Sequence, residues 1–361
     1  MGIKITNVRI LKDGSFSSLS DVYIVGNKID GIHEHNGGAD SAANKSYDEV
    51  ETIDGEEGYL LPGLIDAHVH LEGVETLALL SKWGVTTGLD MAFGLNTKLQ
   101  NLDNQKGLAD VRSAGIPATA PGSIHSRMPQ MPAEAKLKGP GEAAKFVTDR
   151  VADGSDYIKI ICDVPGPDQE TLDALVMEAH DHKKLVVAHA ARFAAYDMAL
   201  KAGADIITHV PMDYALDDQT TSSMLKAGRF AVPTLIMEKA MSKVIPGMNY
   251  THSHDSVVAL HKSGVPIIAG SDANRSKICP VPHGESLHTE LELLVEAGLS
   301  TKEALHSVTL LAAQTFGLND RGAIKSGLRA DLVLLKENPL DDIKATRSIQ
   351  TVWCGGFKAD L

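Results

Sequence analysis

The sequence predicts an α/β protein: a (β/α)8 barrel of the TIM type beside a small β-sandwich domain built from both ends of the chain. Two observations predict it. Eight short apolar segments recur through the middle of the chain with helical stretches between them, over about 250 residues. Short segments with strand-like alternation lie before and after that region. A doubly wound open sheet is the structural alternative, disfavoured because no Gly-x-Gly-x-x-Gly turn follows an early strand.

Taken in order, Ile3–Ile5, Val8–Leu11, Asp21–Val25 and Lys28–Ile32 are separated by Asp-Gly and Gly-Asn turn signals and predict a small antiparallel sheet. The polar stretch Asn36–Asp48 reads as a mobile loop. Barrel strands are expected at Gly63–His70, Val85–Met91, Pro117–Ile124, Tyr157–Cys162, Leu185–His189, Asp205–His209, Phe230–Leu235 and Pro266–Asp272. Among the intervening helices, Asp168–His182 puts Leu172, Leu175, Val176 and Ala179 on one face. Strand-like segments return at Ala330–Leu335 and Ile349–Trp353. The expected domains are residues 1–60 with 320–361 for the β-sandwich and 61–319 for the barrel.

Composition narrows the class. With 361 residues, 43% of them hydrophobic, the chain can bury a large core. A net charge of -13 without a basic cluster argues against nucleic acid or an anionic membrane as partner, and no apolar stretch is long enough to span a bilayer. The N-terminal residues alternate rather than forming a signal peptide's apolar segment, and the three cysteines are too few and too scattered for a disulfide framework. The expectation is a cytoplasmic protein acting on a small molecule; a homo-oligomer is left open.

Polar residues recur where the predicted strands end, the end at which barrel active sites lie. Leu61-Pro62-Gly63-Leu64-Ile65-Asp66-Ala67-His68-Val69-His70 finishes in two histidines that a strand would point the same way, able to chelate one divalent metal. A second such pair, His33-Glu34-His35, sits in a polar, turn-like stretch and reads as solvated surface. Later strands end in His189, His209 and Asp272, and the fourth carries Lys159 inside an apolar run. One histidine at a strand end is more often structural, satisfied by a carbonyl; four with an aspartate at one rim indicate a metal site. Burying the Lys159 amine favours its neutral form. That amine can take up carbon dioxide as a carbamate, pair as an ammonium with Asp163, snorkel to the rim, or form a Schiff base; the neighbouring ligand candidates favour the carbamate.

These residues resemble the amidohydrolase superfamily, in its imidazolonepropionase-like and prolidase-like branch, which includes Xaa-Pro dipeptidases and ochratoxin-cleaving amidases. The resemblance rests on the Leu61–His70 segment, Ile158-Lys159-Ile160, Ala188-His189-Ala190, Thr208-His209, Gly270-Ser271-Asp272, Glu290–Leu299 and Gly327–Leu334, in order along nearly the whole chain. It implies two divalent ions, most often zinc. His68, His70 and Asp272 would hold the more buried one and His189 and His209 the other, with carbamylated Lys159 bridging. It implies further that Asp272 relays a proton during hydrolysis of a C–N bond in a small amide-like substrate. Lactone, ester or carbamate hydrolysis, mononuclear deamination, decarboxylation and a non-enzymatic metal-binding scaffold are the rival readings; Lys159 argues against the deaminase and Asp272 against the scaffold.

Three more residues are substrate-contact candidates. His125 follows the third strand, either as a catalytic, substrate-contacting histidine of the prolidase-like pattern or as a surface residue. His283 in Pro282-His283-Gly284 looks family-like and is placed over the site. Arg192 in His189-Ala190-Ala191-Arg192 either supplies charge where relatives carry a tyrosine or histidine for a substrate carboxylate, or caps the next helix. That departure puts dipeptidase activity in doubt. His252, His254 and His261 are expected on an outer helix, and Cys162 as packing.

Overall fold

The computed structural model describes residues 2–35, 50–92 and 105–361, so the predicted loop Asn36–Asp48 lies outside the described residues. The strands in chain order are β1 (Gly2–Lys12), β2 (Ser15–Val25), β3 (Lys28–Glu34), β4 (Val50–Asp54), β5 (Tyr59–Pro62), β6 (Leu64–Val69), β7 (Val85–Asp90) and β8 (Asp110–Ser113). They continue with β9 (Ile158–Ile161), β10 (Val186–His189), β11 (Ile206–Thr208), β12 (Phe230–Val232), β13 (Leu332–Leu335), β14 (Ile349–Cys354) and β15 (Phe357–Lys358).

Strands from both chain ends share one sheet, ordered β15-β14-β13-β5-β1-β2-β3, with β4 paired to β1. Where the sequence predicts an antiparallel arrangement, the sheet is mixed, since β4 and β5 both run parallel to β1. The two predicted segments Ile3–Ile5 and Val8–Leu11 are one strand, whose register shifts between Ile5 and Val8 where Asn7 turns to a φ of 59°. Alternation along β13 joins this sheet to the rest of the molecule. Leu332 and Leu334 pack with Ile5, Val22 and Trp353, while Val333 and Leu335 face the main core.

The middle of the chain forms two parallel sheets, β6-β7-β8 and β12-β11-β10-β9. Two predicted strands are corrected here. Pro117–Ile124 is not a strand; the paired segment of that region is β8, and single bridges to Ile160 and Lys136 are all that follow at Ala118 and Thr119. Gly115, at a φ of 66°, bends the chain between them, and Pro117 has no N–H to give a ladder. Pro266–Asp272 likewise pairs only through isolated contacts, Ile267 with Ala231 and, just beyond it, Ala273 with Val69. Its backbone is nevertheless anchored to β6 by Ala67 N to Ala269 O (3.1 Å) and Asp272 N to His68 O (2.7 Å).

Helices lie between the parallel strands. The one predicted at Asp168–His182 spans Gln169–Asp181, with the Asp168 carboxylate accepting from Thr171 N and Leu172, Leu175, Val176 and Ala179 buried. His252, His254 and His261 do lie on a helix, Tyr250–Ser263. His33 and Glu34 are exposed but end β3 rather than forming a turn, and His35 Nδ1 lies 2.7 Å from Asp21. No helix among the described residues is long and apolar enough to cross a membrane.

His288, on the helix Glu285–Glu296, fastens the C-terminal segment to the parallel strands. Its Nε2 donates to Trp83 O at 2.9 Å and its Nδ1 lies 2.9 Å from Thr346 Oγ1. Burial pushes its pKa down to about 4. The folded protein therefore binds fewer protons here than the unfolded chain, so this contribution is full above pH ~6.5 and falls as pH drops towards about 4, by up to ~3 kcal/mol. We expect the stability advantage of wild type over His288→Gln, read from urea midpoints, to shrink between pH 7 and pH 4. Parallel pH profiles for the two proteins would contradict this.

Candidate metal centre

His68 lies within β6 and His70 one residue beyond it, on the same face, with ring centroids 5.5 Å apart. Asp272 Oδ1 sits 3.0 Å from His70 Nε2 and 3.4 Å from His68 Nε2. It forms no hydrogen bond among the described residues, and neither does the buried His68 Nδ1. The tautomer of His70 is set by Ala92 O, a carbonyl 2.9 Å from Nδ1, which must therefore carry the proton and leaves Nε2 towards Asp272. The backbone turns sharply here: Asp272 has a φ of 55°, as His209 (72°) and Thr234 (51°) do at neighbouring strand ends. Non-glycine residues in this region are strained, and such strain collects at functional sites.

The remaining candidates adjoin this trio. His209 stacks against His68 (4.9 Å between centroids) and His189 (4.4 Å), and His189 against His125 (4.5 Å). Lys159, paired across the ladder with Val187, sends Nζ past β10 to Thr208 Oγ1 on β11 at 3.0 Å. That bond, not one to Asp163, is its partner, so the ammonium–Asp163 reading is corrected; Asp163 lies against His125. Burial lowers the Lys159 amine to about 7. Burial first, and then the surrounding histidines and Lys159, hold His68, His189 and His209 well below their ordinary range, keeping them in the neutral form that ligates. On His70 burial acts the same way, but the adjacent Asp272 carboxylate outweighs it and raises the value.

A layer of buried carboxylates supports these side chains. Asp66 receives Ser271 N (2.9 Å), Ser271 Oγ (2.5 Å) and His68 N (3.2 Å), and burial still raises it to about 7. Asp90 accepts from Leu71 N and Ser113 Oγ and is pushed by burial to about 6. Glu238 Oε1 lies 3.2 Å from His209 Nδ1, which also meets Thr234 Oγ1 at 2.8 Å. Glu290 accepts from the N–H groups of Leu235 and Ile236 at the start of the helix carrying Glu238, and burial raises it to about 8.

Of the substrate-contact candidates, His125 is at the rim, half-buried, with Nδ1 2.7 Å from Asp163 Oδ2. His283 is buried, and its Nε2 donates to His70 O at 2.9 Å, bracing a ligand candidate's backbone. Arg192 occupies the N-cap position of the helix Phe193–Ala202, without a side-chain capping bond. Cys162 is buried and its thiol is pushed up to about 12, as a packing residue would be. Sequence reasoning missed the roles of Asp66, Asp90, Asp163, Glu238 and Glu290. For two of them a signal exists: Asp66 is a charge inside the apolar run before His68, and Asp90 ends its strand as Asp272 ends its own. A separate cavity of about 350 Å³, lined by Arg112, Tyr157, Leu185 and Phe316 among others, opens beside residues that precede β9 and β10 and contains none of these histidines.

An α/β scaffold whose strands bring four histidines, an aspartate and a buried lysine together offers a candidate metal centre. Residues 59–357 match the Amidohydrolase family, and the chain belongs to it. An adenine deaminase from Desulfatibacillum aliphaticivorans is 27% identical over 338 residues, covering 89% of this chain and 53% of the relative. The chain thus spans about half the length of that curated relative. The ochratoxinase of Aspergillus niger is 28% identical over 207 residues, 52% of this chain and 40% of the relative. In fold, the chain resembles a Xaa-Pro dipeptidase solved with methionine in its active site, with a TM-score of 0.84 at 23% identity over 100% of both chains.

The Ser271 hydroxyl is the cheapest point at which to test the supporting layer. Ser271→Ala leaves Asp66 Oδ2 buried without its donor, and we expect a loss of ~1–3 kcal/mol in unfolding free energy. An unchanged urea midpoint would show that Asp66 does not depend on this bond.

Proposed function

We propose that this chain is a metal-dependent hydrolase that cleaves the C–N bond of a small amide-type substrate at a centre of two divalent ions, with zinc the expected metal. One observation carries the proposal: His68, His70 and Asp272 converge with two buried polar atoms, Asp272 Oδ1 and His68 Nδ1, left without hydrogen bonds among the described residues, while His189 and His209 lie alongside. This donor set of imidazoles and a carboxylate fits zinc. His68, His70 and Asp272 would hold one ion, His189 and His209 the other, and Lys159 would bridge as its carbamate. That modification joins the amine nitrogen to the carbon of carbon dioxide and releases one proton. The amine's fall to about 7 supports it, since the neutral form is the reactive one.

When bound, such ions supply the acidity of a water and the polarisation of a carbonyl. Asp272 would be the group that accepts a proton from the attacking water and returns it to the leaving nitrogen. His125, its Nδ1 occupied by Asp163, has Nε2 left to contact the substrate, and His283 keeps the His70 backbone in place. Arg192 remains the candidate for an anionic substrate group. Deamination is the second reading, favoured by the adenine deaminases among the relatives; esters, lactones and carbamates would use the same residues.

The reading extends to the architecture. The two parallel sheets, with the bridges at Ala118, Ile267 and Ala273 between their edges, are taken as one (β/α)8 barrel of residues 61–319. The terminal sheet, with a core cluster of its own, is taken as the β-sandwich domain of residues 1–60 and 320–361. Three buried, unpaired cysteines support a cytoplasmic location.

Metal counting and a substrate screen test the proposal together. We expect close to two ions per chain, loss of turnover on chelation, and lower occupancy in His68→Ala and His209→Ala. Reconstituted protein should hydrolyse members of an amide panel; activity confined to adenine, or to esters and lactones, would redirect it. At most one ion after careful reconstitution would favour the mononuclear alternative.

Lys159 provides a separate test. Arginine cannot form the carbamate, so Lys159→Arg should lose most activity and weaken the second ion. A variant that keeps both ions and full turnover would eliminate the bridging role.

A further inference from the structure

One carboxylate at the same rim has no place in the ligand set above. Asp163 follows β9 by two residues, and its two oxygens face different partners. Oδ2 is tied down by His125, 2.7 Å from Nδ1 and 3.3 Å from the backbone N–H. Oδ1 faces His189 Nε2 at 3.9 Å, too far for a hydrogen bond. Two donors each about 2.1 Å from a shared zinc ion stand about 3.4 Å apart at a tetrahedral angle and about 4.2 Å apart when opposed. The gap of 3.9 Å falls between these limits. His125, Asp163 and His189 together offer one donor atom each within 4.8 Å of one another.

The geometry points to Asp163 as a further ligand of the second ion, which its Oδ1 would share with His189 while its other oxygen is held by His125. This rests on the two-ion reading and adds to it. His189 and His209 are neutral donors, so in that reading the one negatively charged ligand of the second ion is a modified Lys159. Asp163 supplies a negative donor that needs no modification. His125 acts on the ion as a positioning residue, because its bond to Oδ2 fixes the plane of the carboxylate. Its Nδ1 is at hydrogen-bonding rather than ligand-to-ligand distance from Asp163, which excludes it as a ligand through that atom.

The test is a titration of the metal-free full chain with Zn2+ alone, followed by calorimetry, with bound ions counted by elemental analysis. The proteins are wild type, Asp163→Asn and Asp163→Ser. Asparagine keeps an acceptor for His125 Nδ1 and removes the charge, so it separates ligation from mere alignment of His125. Serine is a second variant should asparagine disturb folding, and circular dichroism accompanies both. We expect wild type to bind two ions, and both variants to keep the first while binding the second at least ~10–100-fold more weakly, the loss typical of even an outer partner of a metal ligand. Wild-type affinity for both ions in folded Asp163→Asn would overturn the inference and leave the two-ion reading standing. Wild type that binds no ion would overturn both. If wild type binds a single ion, its loss in the variants supports Asp163 as a ligand and its retention overturns that role.

Discussion

The grip of Asp66 on Ser271 is the contact on which the rest of the site depends. These residues are 205 positions apart, yet the Asp66 carboxylate takes both the N–H and the hydroxyl of Ser271, and it also takes the N–H of His68. One side chain thereby joins the strand that presents His68 and His70 to the segment that presents Asp272. Backbone bonds on either side, Asp272 N to His68 O and His70 N to Ala273 O, complete the seam. Asp272 needs such restraint because its left-handed backbone is strained by ~1–3 kcal/mol and persists only where its surroundings over-determine it. Asp66 and these backbone bonds together keep Asp272 Oδ1 within 3.4 Å of both imidazoles.

Most of the candidate site was legible because it follows period-two alternation. His68 and His70 share a face wherever a strand is formed, and His189, His209 and Asp272 each close an apolar run that can be read without knowing what it touches. What could not be read was pairing. Asp163 is visible as a polar residue just past β9, but its partner His125 lies 38 residues earlier, outside any periodic pattern. Glu290 sits in Glu290-Leu291-Glu292-Leu293, where it looks like one of two solvated carboxylates; it is fully buried because two N–H groups at a helix start, 54 and 55 residues away, need an acceptor.

The fold shows the same division. Continuous strands were recognisable as apolar runs with the right flanks, and the Asp168 cap announced its helix. The third and last predicted strands were misjudged for a local reason. Ala118 and Ala120 in one and Ile267–Ala269 in the other are buried, but Pro117 with the bend at Gly115 before it, and the turn at Asp272, interrupt the hydrogen-bond ladder that composition alone suggests. Mixed pairing in the terminal sheet was equally hidden, since β4 and β5 look the same in sequence whether they run parallel or antiparallel to β1.

Charge is distributed in a way that ties fold to site. Where Asp110 and Asp331 are buried, arginines meet them: Arg321 lies 2.7 Å from Asp110, and Arg329 2.9 Å from Asp331. Around the histidines, Asp66, Asp90, Glu238 and Glu290 are buried with no arginine or lysine ion pair among the described residues, and burial raises all four. Lys159, whose charge acts on Asp90, is itself displaced towards neutrality. Unpaired buried carboxylates are costly. Burial therefore favours their neutral, protonated form. Under the proposed function, divalent ions beside the neighbouring imidazoles would add the positive charge that draws these carboxylates back towards ionisation.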